Sequence, residues 1–141
     1  MRRLASALPF VMLLLLAACG AQTPRNPPAG NAATPIAYAT IDADRFEQMS
    51  RQPGVVILDV RSPEEYAQGH IRGAVNIDVG APDFTQKVAA LDKNATYLVH
   101  CRSGRRSVQA CDNMAGLDFS HLYNLDGGIN AWTARGKPVE K

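Results

Sequence analysis

Residues His100 to Ser107 read HCRSGRRS, which puts Cys101, three arginines and Gly104 into one short segment between the apolar run TYLV and a helix-like stretch. A cysteine in this setting acts as a thiolate if something stabilises its charge. With Cys101 at the end of a buried strand and a helix starting near Arg105, the peptide N–H groups of Arg102, Ser103, Gly104, Arg105 and Arg106 curl around the sulfur. Such a nest, backed by the positive end of a helix, favours thiolate over thiol. Gly104 supplies the backbone freedom that a tight loop requires. Three chemistries fit the residue types: a phosphoryl group cradled on a nucleophilic cysteine, an extra sulfur carried on a persulfide, or a cationic turn beside an inert buried thiol.

Spacing discriminates among them. The tyrosine phosphatase pattern sets five residues between cysteine and arginine, whereas four separate Cys101 from Arg106, and Ser107 stands where the phosphatase arginine belongs. The shorter loop closes a smaller ring of donors, better suited to one added sulfur atom than to a phosphoryl group and its oxygens.

Positioning such a loop requires a buried strand before it and a helix after it. VVILD at 55–59 and TYLVH at 96–100 are β-branched and apolar enough for central strands, with shorter candidates at 39–41, 74–76 and 122–124. Helix-like segments lie between them: DADRFEQMS, PEEYAQG, DFTQKVAAL, RRSVQACDNMA and GGINAWTARG. Asp42 is an N-cap candidate, Pro63 with Glu64 and Glu65 marks a first turn, and Gly69, Gly116 and Gly136 mark stops. Strand alternating with helix predicts an α/β domain, a mostly parallel sheet covered on both faces, with its ligand site beyond the carboxyl ends of the strands. Cys101 sits at that end.

The loop CRSGRRS resembles the active-site loop of rhodanese-type sulfurtransferases. LDVRSPEEY at 58–66 and GHIRGAVNI at 69–77 are similar to that family's first two motifs, and LDGGINAW at 125–132 with GKPV at 136–139 to its closing motif. The resemblance spans nearly all of 38–141 and implies a five-stranded, mostly parallel sheet with helices on both faces. It further implies that Cys101 takes a sulfane sulfur from a small anionic donor such as thiosulfate and passes it to a thiophilic acceptor, cyanide or a thiol, including a protein thiol. The N–H groups of residues 102–106 would stabilise the persulfide, and Arg105 and Arg106 would meet the anionic donor, Arg106 most directly. Arg102 is expected to turn away and pair with Asp59. Arg61 either lines the rim or pairs with Glu64 or Glu65. The resemblance calls for no cofactor. A binding module without catalysis, and a phosphatase or arsenate reductase on the same fold, are the rival readings.

Other polar residues read as structural. His70 is a hydrogen-bonding turn residue, His100 a strand residue beside the sulfur, His121 a surface residue, and Trp132 a core plug from the last helix. Cysteines and histidines show no metal spacing. Cys111 lies about two helical turns from Cys101, roughly 10 Å of helix rise and too far for a disulfide.

The N-terminus carries a different signal. MRR followed by the apolar stretch Ala7 to Ala18 is a charged n-region and an h-region, and Leu16-Ala17-Ala18-Cys19 resembles a bacterial lipobox with Cys19 as the lipidation site. Loss of residues 1–18 removes Arg2 and Arg3, so 15 basic residues fall to 13 against 13 acidic ones. The mature chain is then formally neutral and offers no electrostatic footprint for nucleic acid. Residues 19–37 hold four prolines and no apolar periodicity, as a tether would. The expectation is a monomeric domain over 38–141, lipid-anchored to a bacterial cell envelope on the extracytoplasmic, periplasmic side.

Overall fold

A computed structural model describes residues 37–141, and the expected signal peptide, Cys19 and most of the expected tether lie outside them. Ten elements alternate: β1 (Ala39–Ile41), α1 (Ala43–Ser50), β2 (Val55–Asp59), α2 (Pro63–Gln68), β3 (Val75–Asn76), α3 (Phe84–Ala89), β4 (Thr96–His100), α4 (Arg105–Ala115), β5 (Leu122–Leu125) and α5 (Gly128–Ala134). The strands form one sheet in the order β1-β5-β4-β2-β3, and every pairing is parallel. The five strands expected from sequence are therefore present; β3 is one residue shorter than expected and β5 one longer.

β2 and β4 occupy the interior of the sheet, so both of their faces are covered, and their sequences are apolar at nearly every position. Alternate residues feed two cores. Leu58, Tyr97 and Val99 pack with Phe84 and Val88 of α3 and with Ala110, Cys111 and Met114 of α4. Ile57 and Leu98 pack with Ala43, Phe46 and Met49 of α1 and with Ile129 and Trp132 of α5. Trp132 fills that second core, edge-on to Phe46, and its indole N–H donates to the Pro138 carbonyl at 2.9 Å.

The helix starts follow the residues that mark them. The Asp42 side chain accepts from the Arg45 N–H at 2.8 Å, capping α1. Ser62 and Glu65 form a reciprocal capping box at the start of α2, with Pro63 in the first turn. Among the described residues no helix is long and apolar enough to cross a membrane.

Register fixes what lies at the carboxyl edge. Asp59 of β2 stands opposite His100 of β4. The chain leaves both strands there, into the turn before α2 and the loop before α4.

Candidate active site

Cys101 follows β4 directly and is almost wholly buried, at 1% exposure. Its Sγ accepts from the Gly104 N–H at 3.2 Å and from the Ser107 hydroxyl at 3.5 Å. The loop closes on itself because Gly104 adopts a left-handed conformation, φ 93°, just before α4. Burial pushes the Cys101 thiol up, but the Ser107 hydroxyl and the N–H groups of Ser107, Ser103 and Gly104 outweigh it and leave the pKa below the ordinary thiol value. Ser107 was missed as a sulfur ligand by sequence reasoning. Its signal was available: it is the residue after Arg106, half a turn or so into a helix whose start faces the cysteine.

The outer side of the loop is held by α5. Ile129 N–H donates to the Cys101 carbonyl at 2.9 Å and Asn130 N–H to the Arg102 carbonyl at 3.1 Å. Gly128, φ 59°, makes this approach possible, since a Cβ there would fall 2.5 Å from the Cys101 oxygen and 2.6 Å from that of Arg102. The double glycine of LDGGINAW thus serves the loop across the fold.

The arginines are not arranged as expected. Asp59 does not pair with Arg102. It is fully buried and bound by Arg61, two residues on, through Nε at 2.9 Å from Oδ1 and Nη2 at 2.6 Å from Oδ2. The Arg61 backbone N–H and the Gly69 carbonyl complete this network. Arg61 is therefore an internal brace between the end of β2 and the end of α2, not a partner of Glu64 or Glu65. It also borders a cleft of about 340 Å³. Arg106, expected to face a donor as an open cation, instead makes a two-pronged ion pair with Glu65 at 2.7 and 2.8 Å. Arg102 and Arg105 are exposed, and neither meets a carboxylate among the described residues. Pairing decided these placements: Asp59 is saturated by Arg61, two residues on, which leaves Arg102 outside.

His100, the last residue of β4, is fully buried. Burial lowers its pKa, with the Asp59 carboxylate opposing. Its Nδ1 lies 3.3 Å from the Cys101 carbonyl oxygen, and its Nε2 makes no hydrogen bond, standing 3.6 Å from Asp59 Oδ2. A neutral ring with its proton on Nδ1 fits these contacts. Cys111 is also buried and free, its thiol pushed up to about 12 by burial and by the nearby Asp112 and Cys101. It is inert where Cys101 is activated.

The sequence model of the rhodanese-like domain family matches residues 42–135, more than half of the chain, including the whole loop. The chain belongs to the rhodanese-like domain family. Among its relatives, the thiosulfate sulfurtransferase GlpE of Pseudomonas entomophila is 39% identical over 83 residues, covering 58% of this chain and 73% of that protein. A sulfurtransferase of Allochromatium vinosum is 32% identical over 100 residues, covering 70% and 92%. The rhodanese-related protein of Thermoplasma volcanium has a similar structure, with a TM-score of 0.66 at 29% identity over 73% of this chain and 98% of that one. The rhodanese fold accounts for the all-parallel sheet and for a cysteine loop between its fourth strand and fourth helix.

Proposed function

We propose that this rhodanese domain is a sulfurtransferase that carries sulfur on Cys101. The observation that carries the reading is the sulfur held by the Gly104 N–H and the Ser107 hydroxyl in a loop with four residues between Cys101 and Arg106. The Cys101 thiolate attacks the outer sulfur of a donor such as thiosulfate. One sulfur–sulfur bond forms as another breaks, and sulfite leaves with the bonding electron pair. The terminal persulfide anion then lies where the N–H groups of residues 102–106 offset its charge. Cyanide, a small thiol or a protein thiol removes the outer sulfur and regenerates the thiolate. The loop donors lower the thiol pKa and so favour the thiolate without a general base. Relatives whose names carry the same activity support this reading.

Incubating the purified protein with thiosulfate should add about 32 Da, one sulfur atom, which cyanide removes as thiocyanate. An unchanged mass with fully reduced Cys101 would leave a binding module as the better description.

The chain is further proposed to be a lipoprotein on the extracytoplasmic side of a bacterial envelope, with Cys19 acylated and residues 20–37 as the tether. LAAC at 16–19 after a basic and then apolar leader supports this. Cys19→Ser should release the protein from the membrane fraction while its sulfur transfer persists. A wild-type protein already in the soluble fraction would rule the anchor out.

A further inference from the structure

Glu65 and Arg106 are 41 positions apart, and their two hydrogen bonds tie α2 to the first turn of α4 beside the cysteine loop. Two clefts adjoin that loop. One, of about 340 Å³, includes Glu65, Gln68, Arg102 and Ile129 in its lining. The other, of about 350 Å³, is lined by Ser103, Arg105, Arg106 and Gln109. The ion pair contributes its carboxylate to the first and its guanidinium to the second. The Arg106 hydrogen bonds hold the Glu65 carboxyl below its ordinary range, so Glu65 is charged at neutral pH and compensates Arg106 throughout. Asp78 adds a further negative charge within electrostatic reach of Arg106. Of the three loop cations, one is therefore already neutralised before any substrate arrives.

We propose that Glu65 is a specificity-determining residue: by engaging both terminal nitrogens of Arg106 it withholds one cation from the donor, and so weakens the site's selection of dianionic over singly charged sulfur donors. The proposal rests on the sulfurtransferase reading above and names the residue that sets its charge selectivity, between the dianion thiosulfate and singly charged donors such as organic thiosulfonates, R–SO2–S⁻. With a thiosulfonate the Cys101 thiolate takes the terminal sulfur, the sulfur–sulfur bond breaks, and a sulfinate leaves in place of sulfite. Removing the carboxylate frees Arg106 from its ion pair, and one additional unit charge a few ångströms from a dianion, partly screened by water, changes binding by roughly three- to tenfold.

The test compares kcat/KM for thiosulfate with that for benzenethiosulfonate, a monoanion of matching chemistry, using cyanide as the common acceptor. Glu65→Gln keeps a residue able to complete the α2 capping box while removing the charge. The expected result is a thiosulfate to thiosulfonate ratio about three- to tenfold above wild type, through KM and shrinking as salt is added. Glu65→Asp, which keeps the charge, should restore a ratio within about twofold of wild type. An unaltered ratio in Glu65→Gln, or an equal fall with both donors, overturns the assignment while leaving persulfide formation in place. If the wild-type protein gains sulfur from neither donor, the sulfurtransferase reading itself fails and takes this inference with it.

Discussion

Ser107 has one hydroxyl proton and two acceptors in reach, the Cys101 sulfur at 3.5 Å and the Gly104 carbonyl at 3.1 Å. Ionisation of Cys101 draws that proton to the sulfur, because a hydrogen bond to a charged acceptor is the stronger of the two. The ultraviolet thiolate absorbance, taken as a difference against Cys101→Ser, should titrate below the ordinary thiol range, and Ser107→Ala should move the midpoint up. At pH 7 the same variant should form persulfide about tenfold more slowly, as expected for one hydrogen bond to an ion. A midpoint unmoved by Ser107→Ala would remove the serine from the site. Since the folded thiol has the lower pKa, its ionisation contributes stability above the unfolded value, near 8.5, and that contribution fades as pH falls through the folded one. Asp59 and Arg61 define a second residue-scale expectation. Arg61→Ala should cost about 3–5 kcal/mol in urea unfolding, because it strands a buried carboxylate. Asp59→Asn should resemble it, and the double variant should lose far less than the sum. Arg102→Ala, on the surface, should stay within about 0.5 kcal/mol of wild type.

At the scale of elements, the site is a junction of β4, α4 and α5, with α2 alongside. The loop does not hold its own shape: its carbonyls are anchored on the N–H groups of Ile129 and Asn130, and Gly128 permits the contact. Two glycines with positive φ separate strain from collision. Gly54 has φ 78° and open space around the missing Cβ, so Gly54→Ala should cost only the backbone term, about 1–2 kcal/mol. Gly128→Ala meets loop backbone at 2.5 Å as well. It should destabilise more than Gly54→Ala and slow persulfide formation by more than tenfold, since misplacing reacting groups by about an ångström is that costly. Unfolding curves and single-turnover rates on both variants check this. Equal losses, with the rate intact, would show that α5 does not shape the loop.

Across the whole domain, residues 137–140 strap one edge to the helices. His70 and Glu140 exchange backbone hydrogen bonds at 2.8 Å each, and the Glu140 carboxylate accepts from Arg72 Nε and the Gly73 N–H at 3.1 Å. Lys137 reaches Asp44 and Glu47 of α1. This strap also places Val139 in the wall of the cleft beside Arg102. Deleting residues 139–141 removes two net-favourable backbone hydrogen bonds of about 1 kcal/mol each, so Tm should fall by roughly 5–15 °C. The fall should be accompanied by little change in thiolate titration, because the strap does not touch the sulfur. A calorimetric scan and the absorbance titration together test this.

The amino-acid sequence determined the frame of this domain and the identity of its reactive atom. VVILD and TYLVH announce central strands because both sheet faces bury them, so nearly every position must be apolar. Asp42, Pro63, Glu64 and Glu65 announce helix starts because their chemistry is local, acting over one turn. Four residues between Cys101 and Arg106 announce a small ring of donors because ring size depends only on chain count. Tertiary structure alone decided how the charges pair. An arginine side chain reaches any carboxylate within several ångströms, and which carboxylate lies there depends on how elements distant in sequence are set side by side. Asp59, expected to pair with Arg102, took Arg61 instead, since β2 turns into α2 with that side chain folded back over it. Glu65, a first-turn acid in sequence, became the partner of Arg106 because α2 and α4 begin at the same edge of the sheet. Ser107 reached the sulfur because a left-handed Gly104 turns the first turn of α4 back onto Cys101.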